Sequence, residues 1–236
     1  MQPLSVIPVE GVPEVVPGAE LADLIADAAE AQGTPLTGGD CLVVTQKVVS
    51  KAEGRLVAVD PDDRIARHQL VESESVRVLR RRGDLVISET RHGFVCANAG
   101  VDLSNVADGT AALLPVDSDR SAKHVRDALR ARRGVEVGVV ISDTFGRPWR
   151  TGLTDVAIGV CGIAAVLDLR GRPDALGREL QVTEVAIADE IASAAELVMG
   201  KSSGIPAAIV RGLDPSWFRD SSVRELVRSA SEDLFR

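Results

Sequence analysis

A mixed α/β fold, with mixed sheets and flanking helices, is what the sequence predicts, on three observations. Short β-branched runs alternate along the chain with segments of helical period. Apolar residues make up 45% of the chain but aromatics only 3%, with no Tyr, so the core has to be built from Val, Leu, Ile and Ala. The 236 residues carry no internal repeat and no low-complexity tract, which leaves room for one large domain or two small ones.

Residues 19–31, AELADLIADAAEA, predict a helix because Leu21, Leu24 and Ile25 fall at helical spacing. CLVVTQKVVS, 41–50, follows a GGD turn and reads as a buried strand. The polar stretch 59–84 reads as a solvated helical excursion, its RRR at 80–82 being a surface face or a phosphate contact. LVISET, 85–90, and TAALLPV, 110–116, read as strands. SDRSAKHVRDALRARRG, 118–134, predicts a helix with Ser118 as N-cap, Val125 and Leu129 as its apolar stripe and Gly134 as its stop. VEVGVVIS, 135–142, is the clearest strand, and VAIGVCGIAAVLDLRG, 156–171, reads as two strands broken at Gly162. TEVAIADEIASAAELVMG, 183–200, predicts a helix capped by Thr183 and ended by Gly200. PAAIVRG, 206–212, reads as the final strand, and SSVRELVRSASEDLF, 221–235, as a terminal amphipathic helix.

Bulk properties exclude several classes. A net charge of −8 argues against nucleic-acid binding, which needs a basic face, and the missing Tyr removes stacking platforms. An anionic small substrate stays compatible if a metal ion or an arginine cluster reverses the local field. Cys41, Cys96 and Cys161 are far apart, without metal-type spacing, and read as buried free thiols. The N-terminus lacks a basic segment followed by an apolar run, and no apolar stretch approaches the ~20 residues that span a bilayer. The expectation is a soluble cytoplasmic protein that binds neither nucleic acid nor membrane.

The chemistry has to come from scattered acids and lysines. The sequence has no GxxxxGK[ST], no strand-linked GxGxxG, no GxSxG and no HExxH. His68 and His124 fall in charged helical stretches and read as solvent-facing, while His92 lies between a strand and a glycine-rich loop. Any metal is therefore oxygen-ligated, which suits Mg²⁺ or Mn²⁺. CANAGVDLSN presents Asp102, with Asn105 three positions on, as a metal ligand or a plain Asx turn. ISDTFGRPWR sets Asp143 and Thr144 at the end of the clearest strand, as ligands or as a turn cap, followed by Arg147 and Arg150 on a turn marked by Gly146 and Pro148. Lys47 and Lys51 share one face if TQKVVSKAEGR turns helical, as a phosphate clamp or as two solvated lysines. MGKSSGIP, 199–206, is an amide cradle for phosphate or an ordinary helix-to-strand connection.

Together GDCLVVTQKVVSKAEGR, ETRHGFVCANAGVDLSN, ISDTFGRPWRTGLTDVAIG and ELVMGKSSGIPAAIVRG resemble the signature blocks of the coenzyme F420-0:γ-glutamyl ligases, over about residues 5 to 213. The resemblance implies a distinctive non-P-loop α/β fold that dimerises. It also implies a GTP-dependent ligase that adds γ-linked L-glutamate to the deazaflavin precursor F420-0 and releases GDP and phosphate. Two divalent ions, Mg²⁺ or Mn²⁺, go with that activity, and a monovalent cation stays open. Carried over by position, Asp102 and Asp143 correspond to ligands of the first metal and Thr144 to the second. Gln46, Lys51, Asn105 and the stretch Val12, Pro13, Glu14, Val15 correspond to nucleotide contacts, as does the loop of Gly200, Lys201 and Ser202. Lys201 stands where relatives place a metal-binding side chain, and a lysine cannot be one. Lys51, Arg147 and Arg150 are the expected catalytic cations, the arginines on their bidentate fit to phosphate or carboxylate. The ligase domain is expected over 1–213, and 214–236 as a helical tail resembling the junction to a flavin-binding domain in two-domain relatives. Two alternatives differ in class: a nucleotide- or deazaflavin-binding module without ligase activity, and a metal-dependent phosphohydrolase.

Overall fold

The computed structural model describes residues 3–234. In chain order these form β1 (Ser5–Pro8), α1 (Leu21–Ala31), β2 (Cys41–Thr45), α2 (Gln46–Ala52), β3 (Leu56–Ala58), α3 (Arg64–Ser73), β4 (Ser75–Arg82), β5 (Leu85–Thr90) and β6 (Val95–Ala97). After them come β7 (Thr110–Ala112), α4 (Ser118–Arg133), β8 (Gly138–Arg147), β9 (Arg150–Cys161), β10 (Leu167–Asp168), β11 (Glu184–Val185), α5 (Ile187–Met199) and β12 (Ala207–Arg211). The main sheet has the order β1-β12-β2-β8-β9, with β2 and β8 parallel and every other pair antiparallel.

Helices cover both faces of this sheet, so its central strands carry unbroken apolar runs, Cys41–Val44 in β2, Val139–Ile141 in β8 and Ala207–Val210 in β12. Leu42, Val44, Val139, Ile141 and Ile209 meet Leu21 and Ile25 of α1 and Val125 and Leu129 of α4. Their neighbours Cys41, Val43, Val140 and Val210 point the other way, onto Ile187, Ile191 and Ala195 of α5. A smaller lobe holds the β4-β5-β6 sheet against α3, around Val71, Val86 and Ala99. Among the described residues no helix is long and apolar enough to cross a membrane.

Several expectations are corrected in detail. The predicted strand 41–50 stops at Thr45 and turns into α2, and the excursion 59–84 holds a strand, β4, as well as helix α3. Asp117, not Ser118, caps α4 by accepting from the Arg120 N–H at 3.0 Å. Thr183 does not cap α5, which starts at Ile187 with no side-chain cap. The strand expected at 135–142 is shifted, running to Arg147 and pairing with β9 as one long hairpin. TAALLPV is strand only over Thr110–Ala112. The chain does break at Gly162, with φ of 73°, before the two-residue β10. The terminal helix is absent over the described residues, where Val223–Leu226 makes a single 3-10 turn; Phe235 and Arg236 lie outside them. That segment is seated on the body, with Val223 buried in the α1/α4 core and its N–H bonded to Asp119. His68 is half-buried beside Asp84 rather than solvent-facing. The three cysteines are free, Cys41 and Cys96 buried and Cys161 half-buried.

Candidate functional site

The parallel strands β2 and β8 end side by side, and a cavity of about 320 Å³ opens there. Ligand crevices in α/β sheets lie at this place, outside the carboxyl ends of the strands. Four stretches distant in sequence line it: Val12–Val15, the start of α2, the Asp102–Asn105 loop and the Gly200–Pro206 connection, facing Ser142, Asp143 and Thr144 of β8.

Each wall has a local cause. Thr45, at φ −66° and ψ 140°, ends β2 in extended backbone, so α2 begins directly at the cleft. The helical turn sets Lys47 and Lys51 on one side. Lys47 Nζ reaches Asp102 Oδ2 at 2.8 Å and Ser104 Oγ at 2.9 Å, and Lys51 Nζ reaches Glu14 Oε1 at 2.5 Å. Gln46 is buried and spends its amide nitrogen on Ser50 Oγ and the Leu113 carbonyl, at 2.6 and 3.0 Å. Its amide N–H groups therefore brace α2 rather than point at a ligand. Asp102 Oδ1 accepts the Ser104 N–H at 2.7 Å, so the residue is an Asx turn and a wall of the cleft at once. Asn105 follows in the left-handed region, at φ 51°, and its side chain reaches the Lys201 carbonyl at 3.4 Å.

The β8 wall is set by a register shift in the β8–β9 pairing between Ile141 and Ser142, at the level of the cleft. Alternation puts Asp143 on the same face as Phe145, and Ser142 and Thr144 on the face toward α5. There they meet Asp155, buried in β9: Ser142 Oγ donates to Oδ2 at 3.0 Å and Thr144 Oγ1 to Oδ1 at 2.5 Å. Thr144 Oγ1 also accepts a hydrogen bond from Lys201 Nζ.

The electrostatics are those of an acidic cleft edged with ammonium groups. Burial pushes the Asp143 carboxyl up to about 7, against the donated Thr144 N–H, and the charges of Asp102 and Asp155 add to the rise while Lys201 opposes it. Burial also works to raise Asp102, but Lys47 and the Ser104 donors overcome it and hold that carboxyl below the usual range. Glu196 is raised by its burial and then by Asp155.

Among the described residues no three His, Cys, Asp or Glu side chains close on one point as a metal shell. Asp143, joined by Asp102 once Lys47 releases its Oδ2, nevertheless fits one hard, oxygen-ligated ion of the kind that takes one or two carboxylates and leaves its other positions to ligand oxygens. Among the described residues Asp143 accepts only the Thr144 N–H, through Oδ1, which leaves its other oxygen for a cation. Thr144 fits poorly as a ligand of a second ion, because its hydroxyl proton goes to Asp155 and the Lys201 ammonium already sits on its oxygen, where a further cation would be repelled.

The structure thus gathers Val12, Pro13, Glu14, Val15, Gln46, Lys51, Asp102, Asn105, Asp143, Thr144, Gly200, Lys201 and Ser202 around one cavity. It does not bring Arg147 and Arg150 there. They flank the exposed hairpin tip, where Arg147 Nη2 donates to the Thr151 carbonyl at 3.0 Å. His92 is also apart, stacked on Phe94 with Nε2 2.9 Å from the Pro115 carbonyl. Sequence reasoning passed over Asp155, Ser142 and Glu196; the one available signal was an acid, Asp155, directly preceding the apolar run VAIGV.

Fold and cleft together define a class: a mixed α/β protein without a P-loop whose cleft of carboxylates and lysines suits anionic ligands and a hard cation. A family profile described as F420-0:Gamma-glutamyl ligase matches residues 11–212, and the chain belongs to that family. It is 44% identical to the coenzyme F420:L-glutamate ligase of Methanothermobacter thermautotrophicus, over 99% of each chain. The protein of the same name from Methanopyrus kandleri is 45% identical, again over 99% of each, and that from Methanocaldococcus jannaschii 41% over 86% of each.

Proposed function

We propose that this chain is a coenzyme F420:L-glutamate ligase that uses GTP to join the amino group of L-glutamate to a carboxylate of F420-0. One observation carries the reading: segments that match the family in sequence, though distant along the chain, converge on a single cleft of mixed charge. A carboxylate does not react with an amine at neutral pH, so the acid first takes the γ-phosphoryl group of GTP, releasing GDP, and the deprotonated amine then attacks the acyl phosphate and expels inorganic phosphate. Bringing a carboxylate to a triphosphate opposes two anions, and neutralising that charge is the main task of the residues. Lys51 holds phosphate oxygens from the α2 side once Glu14 yields, and Lys201 faces it from the loop after α5. Asn105 and the Val12–Val15 backbone position the nucleotide, with Gly200 and Ser202 supplying amides. A divalent ion, Mg²⁺ or Mn²⁺, bound by Asp102 and Asp143 would add its charge at the transferred phosphoryl group. Arg147 and Arg150 receive no step in this cleft.

The ligase domain spans 1–213 in this reading. The homodimer belongs to the same proposal, and exposed Leu153 on the β8–β9 hairpin is apolar surface it would use, read out by light scattering of the eluted protein. The activity is tested in one incubation of protein, F420-0, GTP, Mn²⁺ and L-glutamate, followed by mass spectrometry. The expected product is one or more glutamyl units heavier than F420-0. Phosphate release that does not depend on glutamate, with no heavier product, would instead identify a phosphohydrolase.

A further inference from the structure

We propose that the Lys201 ammonium is a tethered cation that fills the place of a second divalent ion, so that this cleft works with one metal ion rather than two. The inference rests on the nucleotide-and-metal reading above. It starts from a hydroxyl already shared between a carboxylate and an ammonium group. Thr144 Oγ1 has one proton and two lone pairs. The proton goes to Asp155 Oδ1 at 2.5 Å, and Lys201 Nζ donates to the oxygen. A divalent ion at this oxygen would have to lie against the ammonium, and like charges in contact at a half-buried site repel more strongly than in water.

The lysine is aimed there by the backbone. Helix α5 ends at Met199, and Gly200, at φ 60° and ψ 158°, takes a conformation that side chains disfavour. That residue turns the chain back over β8, and the Asn105 amide bonded to the Lys201 carbonyl ties the turn to the Asp102 loop. Asp155 is buried and Glu196 half-buried on the same side, so the position carries negative charge that a cation must balance. Asp155 acts through Thr144 as a positioning residue, because it fixes which way the hydroxyl donates and hence where its lone pairs face.

The test counts metal rather than turnover. Mn²⁺ bound per chain is measured by electron paramagnetic resonance titration in the presence of a non-hydrolysable GTP analogue. The wild-type protein should saturate at one ion, Lys201→Arg should also hold one, and Lys201→Ala should bind two. Lys201 is exposed, so these variants are expected to fold, and circular dichroism checks that they do. Two ions in the wild-type protein would overturn the tethered cation while leaving the metal reading intact. One ion in Lys201→Ala would overturn it as well, since the vacated position would not be a cation site. No bound Mn²⁺ in any form would overturn both this inference and the metal reading on which it rests.

Discussion

Replacing the Asp143 carboxylate with the isosteric amide of Asn removes charge from the cleft without removing any atoms from the packing. The Thr144 N–H can still be accepted by the amide oxygen, so the fold should persist. Ligation should fall by about 100-fold or more, the scale of losing one electrostatic contact made at a transferring group. Steady-state rates compared with melting curves separate the two effects; near-normal turnover would remove Asp143 from the metal site. The same scale shows which side-chain partners a sequence leaves out of view. For Asp102, metal ligand and Asx turn are the two readings of the sequence, and the structure shows the turn, closed by one oxygen while the other meets Lys47 at the cleft. For Thr144, a hydroxyl beside an acid looked like a ligand, and only the fold reveals Asp155 opposite it across the hairpin. Asp155 escaped notice because its strand was expected to start one residue later, which left it as a loop acid.

Legibility at the level of elements follows from how local each signal is. Helices α1 and α4 were readable because their apolar stripes need no partner to be recognised. Helix α2 was not, because Val48 and Val49 prolong a β-branched run and only the tertiary turn at Thr45 ends the strand. Strand β1 was missed entirely, being four residues whose pairing with β12 is the long-range event that makes them a strand. Two predictions belong here. At Gly159 in β9 an added Cβ would lie 2.4 Å from the Ser118 carbonyl oxygen at the start of α4. Backbone cannot yield as a side-chain tip can, so Gly159→Ala should destabilise the protein by about 2–3 kcal/mol in urea unfolding. Full stability in that variant would mean that α4 sits farther from the sheet. Asp189, in the first turn of α5, has a carboxyl raised by burial, only partly offset by the Ala157 N–H at 2.9 Å. A carboxyl raised in the folded state contributes stability below its unfolded value, near 3.8, and loses it as pH climbs through the folded value. Asp189→Asn keeps an acceptor for Ala157 without the charge. Its melting temperature should exceed the wild type's at pH 7, with the gap closing toward about pH 4. A gap that is independent of pH would show that the carboxyl is not the cause.

Taken as a whole, the molecule closes its cleft with segments that the chain reaches early, midway and late, from Val12 to Pro206. A ligand that touches all of them binds only the folded chain, so binding must raise the melting temperature of the whole body. At 100 times its dissociation constant, a single ligand adds about 2.7 kcal/mol. For a chain of this length each kcal/mol is worth about 2–4 °C, so GTP with Mg²⁺ should shift melting by about 5–10 °C. The hairpin tip lies outside that closure, with Arg147 and Arg150 exposed and neither among the residues that line the cavity. The double variant Arg147→Ala, Arg150→Ala should therefore melt with the same GTP-dependent shift as the wild type. Lys51→Ala, whose lysine is drawn into the cleft wall against Glu14, should lose most of it. The contrast decides where the nucleotide sits: a shift lost with the arginines and kept without Lys51 would move the nucleotide to the hairpin. Equal losses in both variants would mean that the tip reaches the cleft when the nucleotide is bound, which for a hairpin this long requires either bending toward α5 or a second copy of the chain.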